Sequence, residues 1–333
     1  MDRYTQAALD AYMDQQARNH GVRDVSRAFT VEPSMQQKIE NKILESSSFL
    51  RAINVVPVTE LAGEKIGLGS SGPIAGRTDT TTKDRETRDI ITLDGKGYLA
   101  VKTNFDSHVR YETLDTWAKF PDFQQRVRKV GIDQQALDRI MIGWNGVSIA
   151  KDTNPAINTM LEDVNKGWLQ HIREDADEQA LDVSTEPIGA AGSAYKNLDA
   201  LVYDAYQTNI KQHYRNGVQM VAIMGEELLH DKYFPLINNN DKPTEINALD
   251  MIISQKRIGN LQAVQVPYFP SRAILITPLN NLSIYYQNGK RRMRIIDNPK
   301  RDMIQTFESS NEGYVVEMYE RCVLIEGIKF DGE

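Results

Sequence analysis

Residues 66–72 read IGLGSSG: Ile66, Gly67, Leu68, Gly69, Ser70, Ser71, Gly72. This is a literal G-x-G-x-x-G, and its reading decides between two architectures. Placed after a strand and before a helix, the spacing wraps a backbone around a pyrophosphate and makes a doubly wound α/β sheet. Without that context, the glycines mark a turn-rich loop. Here they lead into Pro73, Ile74, Ala75 and Gly76, then RTDTTT at 77–82, which is a poor helix start. Asp89 stands at a tolerable distance for a ribose contact, but no β-α-β unit surrounds it. The loop reading is preferred. A nucleotide-dependent oxidoreductase using Gly67, Gly69 and Gly72 is kept as the alternative.

The flanks of the motif are strand-like. INVVPV at 53–58 precedes it. Beyond it, Val101, Thr103, Phe105, Ser107, Val109 and Tyr111 alternate with Lys102, Asn104, Asp106, His108 and Arg110. Eleven residues of period two predict one strand of about 36 Å. A ribbon of that length is marginal alone and needs a surface to lie on, such as a neighbouring subunit.

Further out, the chain predicts helices. Tyr4, Ala8, Ala11 and Tyr12 give a short amphipathic helix stopped near Gly21, and a second follows Pro33, with Ser34 and Gln37 as a capping box. Ile39, Ile43 and Leu50 fall on one face of that second helix. Neither helix has apolar surface enough to stand alone, so together they read as an arm. The strongest helix is 121–146, where Phe123, Val127, Val130, Leu137, Met141 and Trp144 recur at helical steps between Pro121 and Gly146. Gly131 in its interior costs up to ~1 kcal/mol against alanine. NPAINTMLEDVNKGWLQHIRED (154–175) reads as another helix and GAAGSA (189–194) as a connection.

After 196, helices (LDALVYDAY, EELLHDKYF, INALDMIISQK) alternate with strands (VQMVAIMG, AVQVPYF, AILIT, LSIYY). Asn288-Gly289 carries a hairpin signal between IYYQ and KRRMRII. YVVEMYERCVLIEGIKF closes the chain with one or two strands.

Composition bounds the function. The chain has 333 residues, 41% hydrophobic, with net charge −7 and a single cysteine, Cys322. Residues 160–186 hold eight acids against Lys166 and Arg173, a net −6, so the rest is near neutral and offers no broad basic surface for nucleic acid. MDRYTQAALDAYMDQQ has no apolar core of a secretory signal, and no run is long enough to span a membrane. Walker A, His-Glu-x-x-His and G-x-S-x-G patterns are absent from the sequence. His171 with Glu174 reads as a solvated pair, and the acids at 174–178 as a solvated face. Cofactors and catalytic or metal sites are not expected. The one basic cluster, Lys290 with Arg291, Arg292, Arg294, Lys300 and Arg301, reads as an interface to an acidic surface, including one on another copy, with nucleic-acid contact as a lesser reading.

Several blocks closely resemble the major capsid protein family of peduovirus-type temperate tailed phages. They include SRAFTVEPSMQQKIENKILESSSFLRAINVVPV, GEKIGLGSSGPIAGRTDT, NFDSHVRYETLDTWAKFPDFQQRVR, QALDRIMIGWNG, NKGWLQHIRE and KNLDALVYDA. ELLHDKYFPLIN, ISQKRIGNLQAVQVPYFP, NLSIYYQNGKRRMRIIDNPKRD and YVVEMYE carry the match to near residue 328.

The resemblance implies an α+β chain with the Hong Kong-type tailed-phage capsid fold. Its N-terminal arm would be 1–60, its extended β-loop 61–112, and its peripheral domain 113–195 with a spine helix at 121–146. A mixed α/β axial domain would cover 196–310, and strands 311–333 would return to the peripheral domain. The resemblance also implies self-assembly into hexamers and pentamers of an icosahedral virion shell around packaged double-stranded DNA, touched weakly and non-specifically. The implied partners are a portal protein and an internal scaffold that doubles as a maturation protease, with assembly in the bacterial host cytoplasm. The protease would cut between Phe29 and Thr30, removing 1–29. Gly67, Gly69, Gly72, Phe105 and Val109 would make extended-loop contacts between subunits.

Overall fold

In a computed structural model, the described residues are 3–65, 69–70, 75–87, 91–92, 96–117, 123–190, 192–215, 219–228 and 257–331. The arm begins with α1 (Arg3–His20), then β1 (Phe29–Thr30), α2 (Pro33–Ser46), α3 (Ser48–Ala52) and β2 (Asn54–Val58). Next come β3 (Ala62–Glu64), β4 (Gly69–Ser70), β5 (Ile91–Thr92), β6 (Gly97–Leu99), β7 (Val101–Asn104) and β8 (Ser107–Arg110). The helices α4 (Tyr111–Trp117), α5 (Phe123–Asn145) and α6 (Trp168–Asp175) lead to β9 (Ala180–Asp182), α7 (Leu198–Asn209) and α8 (Gln212–Arg215). The rest is strand: β10 (Val221–Met224), β11 (Arg257–Ile258), β12 (Leu261–Val264), β13 (Ile274–Thr277), β14 (Leu282–Gln287), β15 (Arg292–Asn298), β16 (Met303–Val316) and β17 (Val323–Glu326).

The local chemistry explains the helix ends. α1 stops as expected at Gly21, which has φ +65°. Gly21 N–H donates to Arg18 O and Val22 N–H to Ala17 O, the paired bonds of a Schellman end. α2 does not use the expected capping box. Its N-cap is Glu32 with no side-chain bond, and Pro33 at the first turn supplies the start instead. Leu50 belongs not to α2 but to α3, capped by Ser47 Oγ, which accepts from Leu50 N–H at 3.4 Å. Residues 154–167 are turns rather than the first half of a helix. Asn154 Oδ1 accepts from Ala156 N–H, Asp163 Oδ2 from Asn154 N–H, and Asn165 Oδ1 from Lys166 N–H. These short polar side chains offer the backbone an alternative to helical bonds.

Two sheets organise the chain. The first contains seven strands, in the order β1-β15-β16-β14-β2, with β7 and β8 on the other edge of β16. The second runs β11-β12-β10-β13-β17-β9. The expected boundary at 310/311 therefore falls inside one strand, β16. Strands 282–316 lie with the arm strands, and 323–326 joins the sheet of β10 and β13, because these apolar strands find buried partners across the nominal division. Strand alternation ties both sheets to a common core. Val221, Ile223, Leu275 and Leu324 enter the main core with α2, α5 and α6, while Ala222, Met224, Ile274, Ile276, Val323 and Ile325 face α7.

The alternating stretch 101–111 is also corrected. It forms two strands against β16 in one unbroken register, from Val101 opposite Glu312 to Arg110 opposite Met303. Asp106 Oδ1 takes Glu308 N–H and interrupts the ladder, and Tyr111 already begins α4. The Asn288-Gly289 hairpin is not formed. β14 and β15 do not pair with each other but lie end to end along β16. The turn-out between them is held by Gln36 of α2, whose Oε1 accepts from Gly289 N–H at 2.8 Å and whose Nε2 donates to Gln287 O at 3.1 Å. Residues 265–269 of AVQVPYF are not strand. The helix expected over EELLHDKYF shows its first turn at 226–228; its remainder, and INALDMIISQK, lie outside the described residues.

Candidate functional site

Gly69 stands in a strand, opposite Thr92 across an antiparallel pair. Nearer the root, Gly63 lies opposite Tyr98 and Ala62 opposite Leu99. Gly69 and Ser70 of the glycine-rich stretch thus lie in a short antiparallel pair, and no helix occurs among the described residues 75–87, all of which are exposed. That removes the context a dinucleotide site requires. Gly67 and Gly72 lie outside the described residues. At the ribbon's root, Ala100 N–H donates to Leu61 O, and Tyr98 packs edge-on to Tyr285 with centroids 5.0 Å apart.

Phe105 and Val109 both make contacts within their own chain. Phe105 is buried within its own subunit. Val109 packs into a small core formed by Leu9 and Val25 of the N-terminal segment, Leu114, Ile295 and Ile304. An alternating strand cannot declare how much of its apolar face its own chain covers; here Leu9 of α1 and Ile304 of β16 pack with Val109, which stays half-buried.

The arm is tightly held. Phe29 lies opposite Met293 and Thr30 opposite Arg292, and β1 forms an outer edge of the seven-stranded sheet. The His20 ring stacks tilted on Phe29, with centroids 5.2 Å apart.

The expected basic cluster divides. Arg292, Arg294, Lys300 and Arg301 are exposed, with Arg294 Nε donating to Ser26 O at 2.7 Å. Arg291 is fully buried, since the turn-out pinned by Gln36 aims it inward. There its Nε donates to Glu308 at 2.9 Å, its Nη1 to Glu40 at 2.9 Å and its Nη2 to Gln135 at 2.6 Å. Arg139 of α5 grips Glu40 at 2.6 and 3.2 Å and Glu312 at 2.9 and 2.5 Å. Gln135 Nε2 donates to Glu308 at 2.8 Å, and Arg128 reaches it at 3.4 Å from the rim.

Two buried arginines and three buried glutamates leave one excess negative charge, which Arg128 balances. Burial pushes the Glu308 carboxyl up, but Arg291 and then Arg128 outweigh it and bring it down to about 2. Glu40 is held down the same way by Arg139 and Arg291, against its burial. This cluster joins the arm helix α2, the long α5 and the sheet strand β16. It went unread because its members are far apart in sequence. A signal was present nonetheless: Glu40 sits beside Ile39 and Ile43 on the apolar stripe of α2, and Arg139 beside Ile140 on that of α5.

The expected His171–Glu174 pair is replaced. His171 Nδ1 meets Asp175 Oδ2 at 3.3 Å, while Glu174 takes Lys166 at 2.6 Å and Gln170 at 2.9 Å. Asp175 also accepts from Tyr319 OH at 2.7 Å. No group of three metal-binding side chains occurs among the described residues. Nor is any helix among them long and apolar enough to cross a membrane.

α5 and α6 meet through glycines. A Cβ added at Gly143 would lie 2.2 Å from the Trp168 ring, and one at Gly167 would lie 2.4 Å from the carbonyls of Ile142 and Gly143. Trp144, Trp168, Phe49, Phe269 and Tyr314 pack around this crossing edge-on or tilted, and Trp168 Nε1 donates to Ser283 O at 2.9 Å.

Comparison with known proteins places this architecture. The profile of the family described as "Phage major capsid protein, P2 family" matches residues 8–328. The chain is 45% identical to the "Capsid proteins" of Escherichia phage P2 over 99% of its length and 96% of that protein's. It is 38% identical to the "Major capsid protein" of Serratia phage KSP20, covering 99% of this chain and 98% of that one. Among solved structures, a chain of the "Satellite phage P4 procapsid including size determination (Sid) protein" superposes with TM-score 0.82 at 44% identity, over 99% of both chains. A chain of the "Capsid of empty GTA particle computed with C5 symmetry" shares the fold alone, with TM-score 0.51 at 14% identity over 85% and 90% of the two chains. The paired ribbon, the long α5, the two interlocked sheets and this full-length match together make the chain a member of the P2 family of phage major capsid proteins.

Proposed function

We propose that the chain assembles with copies of itself, as hexamers and pentamers, into the icosahedral shell that encloses phage double-stranded DNA. Its role is structural rather than catalytic. An internal scaffold that doubles as protease guides assembly and removes residues 1–29, and a portal protein occupies one opening. Assembly takes place in the bacterial host cytoplasm. The observation that carries this reading is the ribbon 61–99. Among its described residues, β3 pairs only with β6 and β4 only with β5, residues 75–87 are all exposed, and two-stranded pairs of this kind need another surface to be stable. The net charge of −7 fits an interior that holds DNA weakly enough to release it. The exposed Arg292, Arg294, Lys300 and Arg301 are contacts to an acidic surface of a neighbouring copy.

Electron microscopy of the purified chain, alone and with scaffold, tests the proposal. Shells or capsomer rings are the expected result, and a monodisperse monomer overturns it. Gly69→Val places a bulky residue in the ribbon and is expected to lower the yield of intact shells. Normal yield and expansion would show that the glycine has no such role. Mass spectrometry of mature particles is expected to find Thr30 as the first residue; an intact Met1 refutes the cleavage.

A further inference from the structure

Residues 3–29 are not a loose tail. α1 buries Leu9 against Leu114, Ile295 and Ile304, with Tyr12, Met13 and Ala17 packed around them and Val25 closing the same cluster. The junction itself lies in a β-ladder. Val31 N–H donates to Arg291 O at 2.8 Å, and two residues earlier Phe29 faces Met293. The alternation of an antiparallel ladder makes 29/293 a hydrogen-bonded pair, so the carbonyl a protease would attack is engaged by Met293 N–H. On the other flank Ile295 N–H donates to Val25 O at 2.9 Å. The Phe29 side chain is half-buried between two core clusters, against the His20 ring. A protease must take several residues on each side of the bond in extended form, with carbonyl and side chain both free. Thr30, in the pair that is not hydrogen-bonded, turns its N–H and C=O outward, but Phe29 offers neither its carbonyl nor its side chain.

From this we infer that the Phe29–Thr30 bond is latent in the folded subunit: α1 clamps β1 onto β15, and the bond becomes a substrate only when β1 lifts away. The inference rests on the reading that this junction is the one cut in maturation. Hydrolysis adds water across the bond, leaving a carboxylate on Phe29 and an amine on Thr30. Opening is therefore the step that times the cut, and whatever loosens α1 controls it. Cutting alone does not free the leader, because the contacts of Leu9 and its neighbours do not depend on that bond.

Chymotrypsin, which cleaves after phenylalanine, probes the junction directly, with the 29/30 product followed by mass spectrometry of the full-length chain. Its use separates this inference from the maturation reading, since it reports accessibility whatever the phage protease does. Cleavage at 29/30 in the folded chain is expected to be at least a hundredfold slower than in the urea-unfolded chain. Leu9→Ala is twenty residues before the bond in sequence, so it leaves the residues a protease reads unchanged while shrinking the clamp, and is expected to speed the cut at least tenfold. Thr30→Cys with Arg292→Cys, facing each other across the ladder, is expected to block the cut when oxidised and restore it on reduction. Rapid cleavage of the folded parent, equal rates in Leu9→Ala and parent, or cleavage unaffected by the crosslink would each overturn the inference.

Discussion

Arg291→Ala is expected to cost the folded chain about 3–5 kcal/mol, measured by denaturant unfolding of the unassembled protein. The substitution leaves Glu308 and Glu40 in the interior with one cation fewer, and neither has water to turn to. Arg292→Ala, one residue on and exposed, is expected to stay within about 0.5 kcal/mol. Equal effects of the two would show that the cluster does not anchor the arm. Because the residues act as a unit, Arg291→Ala combined with Glu308→Gln should lose less than the sum of the separate losses.

The same cluster sets an acid limit. Glu308 is held at about 2 in the folded chain against an ordinary 4.5, a depressed value. Its contribution is therefore fully present above about pH 4.5 and is lost as the pH falls toward 2; the difference corresponds to about 3 kcal/mol. Acid titration of unfolding should show this loss in the parent and a midpoint shifted to higher pH in Arg291→Ala. An unmoved midpoint would remove Glu308 from the acid response.

One substitution made at two places on α5 should have opposite signs. Gly143→Ala drives a methyl to within 2.2 Å of Trp168, which is fully buried and hydrogen-bonded to Ser283, so it cannot step aside. A loss of about 3 kcal/mol is expected, despite the gain in helix propensity. At Gly131 an added Cβ meets nothing within 4 Å, and alanine should stabilise by up to ~1 kcal/mol. Unfolding curves of the two variants check both signs; a stable Gly143→Ala would mean that α5 and α6 do not depend on their close approach.

Periodic segments were legible in the sequence, and contextual ones were not. α5 is a helix where its apolar repeat predicts one, but the repeat misplaces the buried face: Val130 is 68% exposed, while Ile132, Ala136, Ile140 and Trp144 are buried. β2, β10, β13 and β15 fall where their local patterns put them. Asn288-Gly289 looked like a hairpin because its residues favour one, but the two carbonyl and amide groups there are satisfied by Gln36, more than 250 positions away. The same distant bond turned Arg291 inward, so a run that read as a uniform basic surface became one core residue and several exposed ones. Residues 154–167 misled for the opposite reason. Their apolar spacing was helical, while Asn154, Asp163 and Asn165 capture the backbone locally. Phe105 and Val109 showed alternation correctly, but alternation does not say how far the chain itself buries them: Phe105 is buried and Val109 half-buried.

The placement of β16 and β17 has a consequence for how a cell makes this protein. β16 lies in the interior of the first sheet and β17 between β13 and β9 in the second. A chain emerging from the ribosome has neither strand until residues beyond 302 have been translated. β8 must wait for β16 to pair at all, and β15 and β13 gain their second neighbours only with β16 and β17. Such long-range pairing folds slowly and only after nearly all of the chain is available. An incomplete translation product therefore lacks the strand on which β7, β8, β14 and β15 all pair, and neither sheet is finished until the chain is nearly complete.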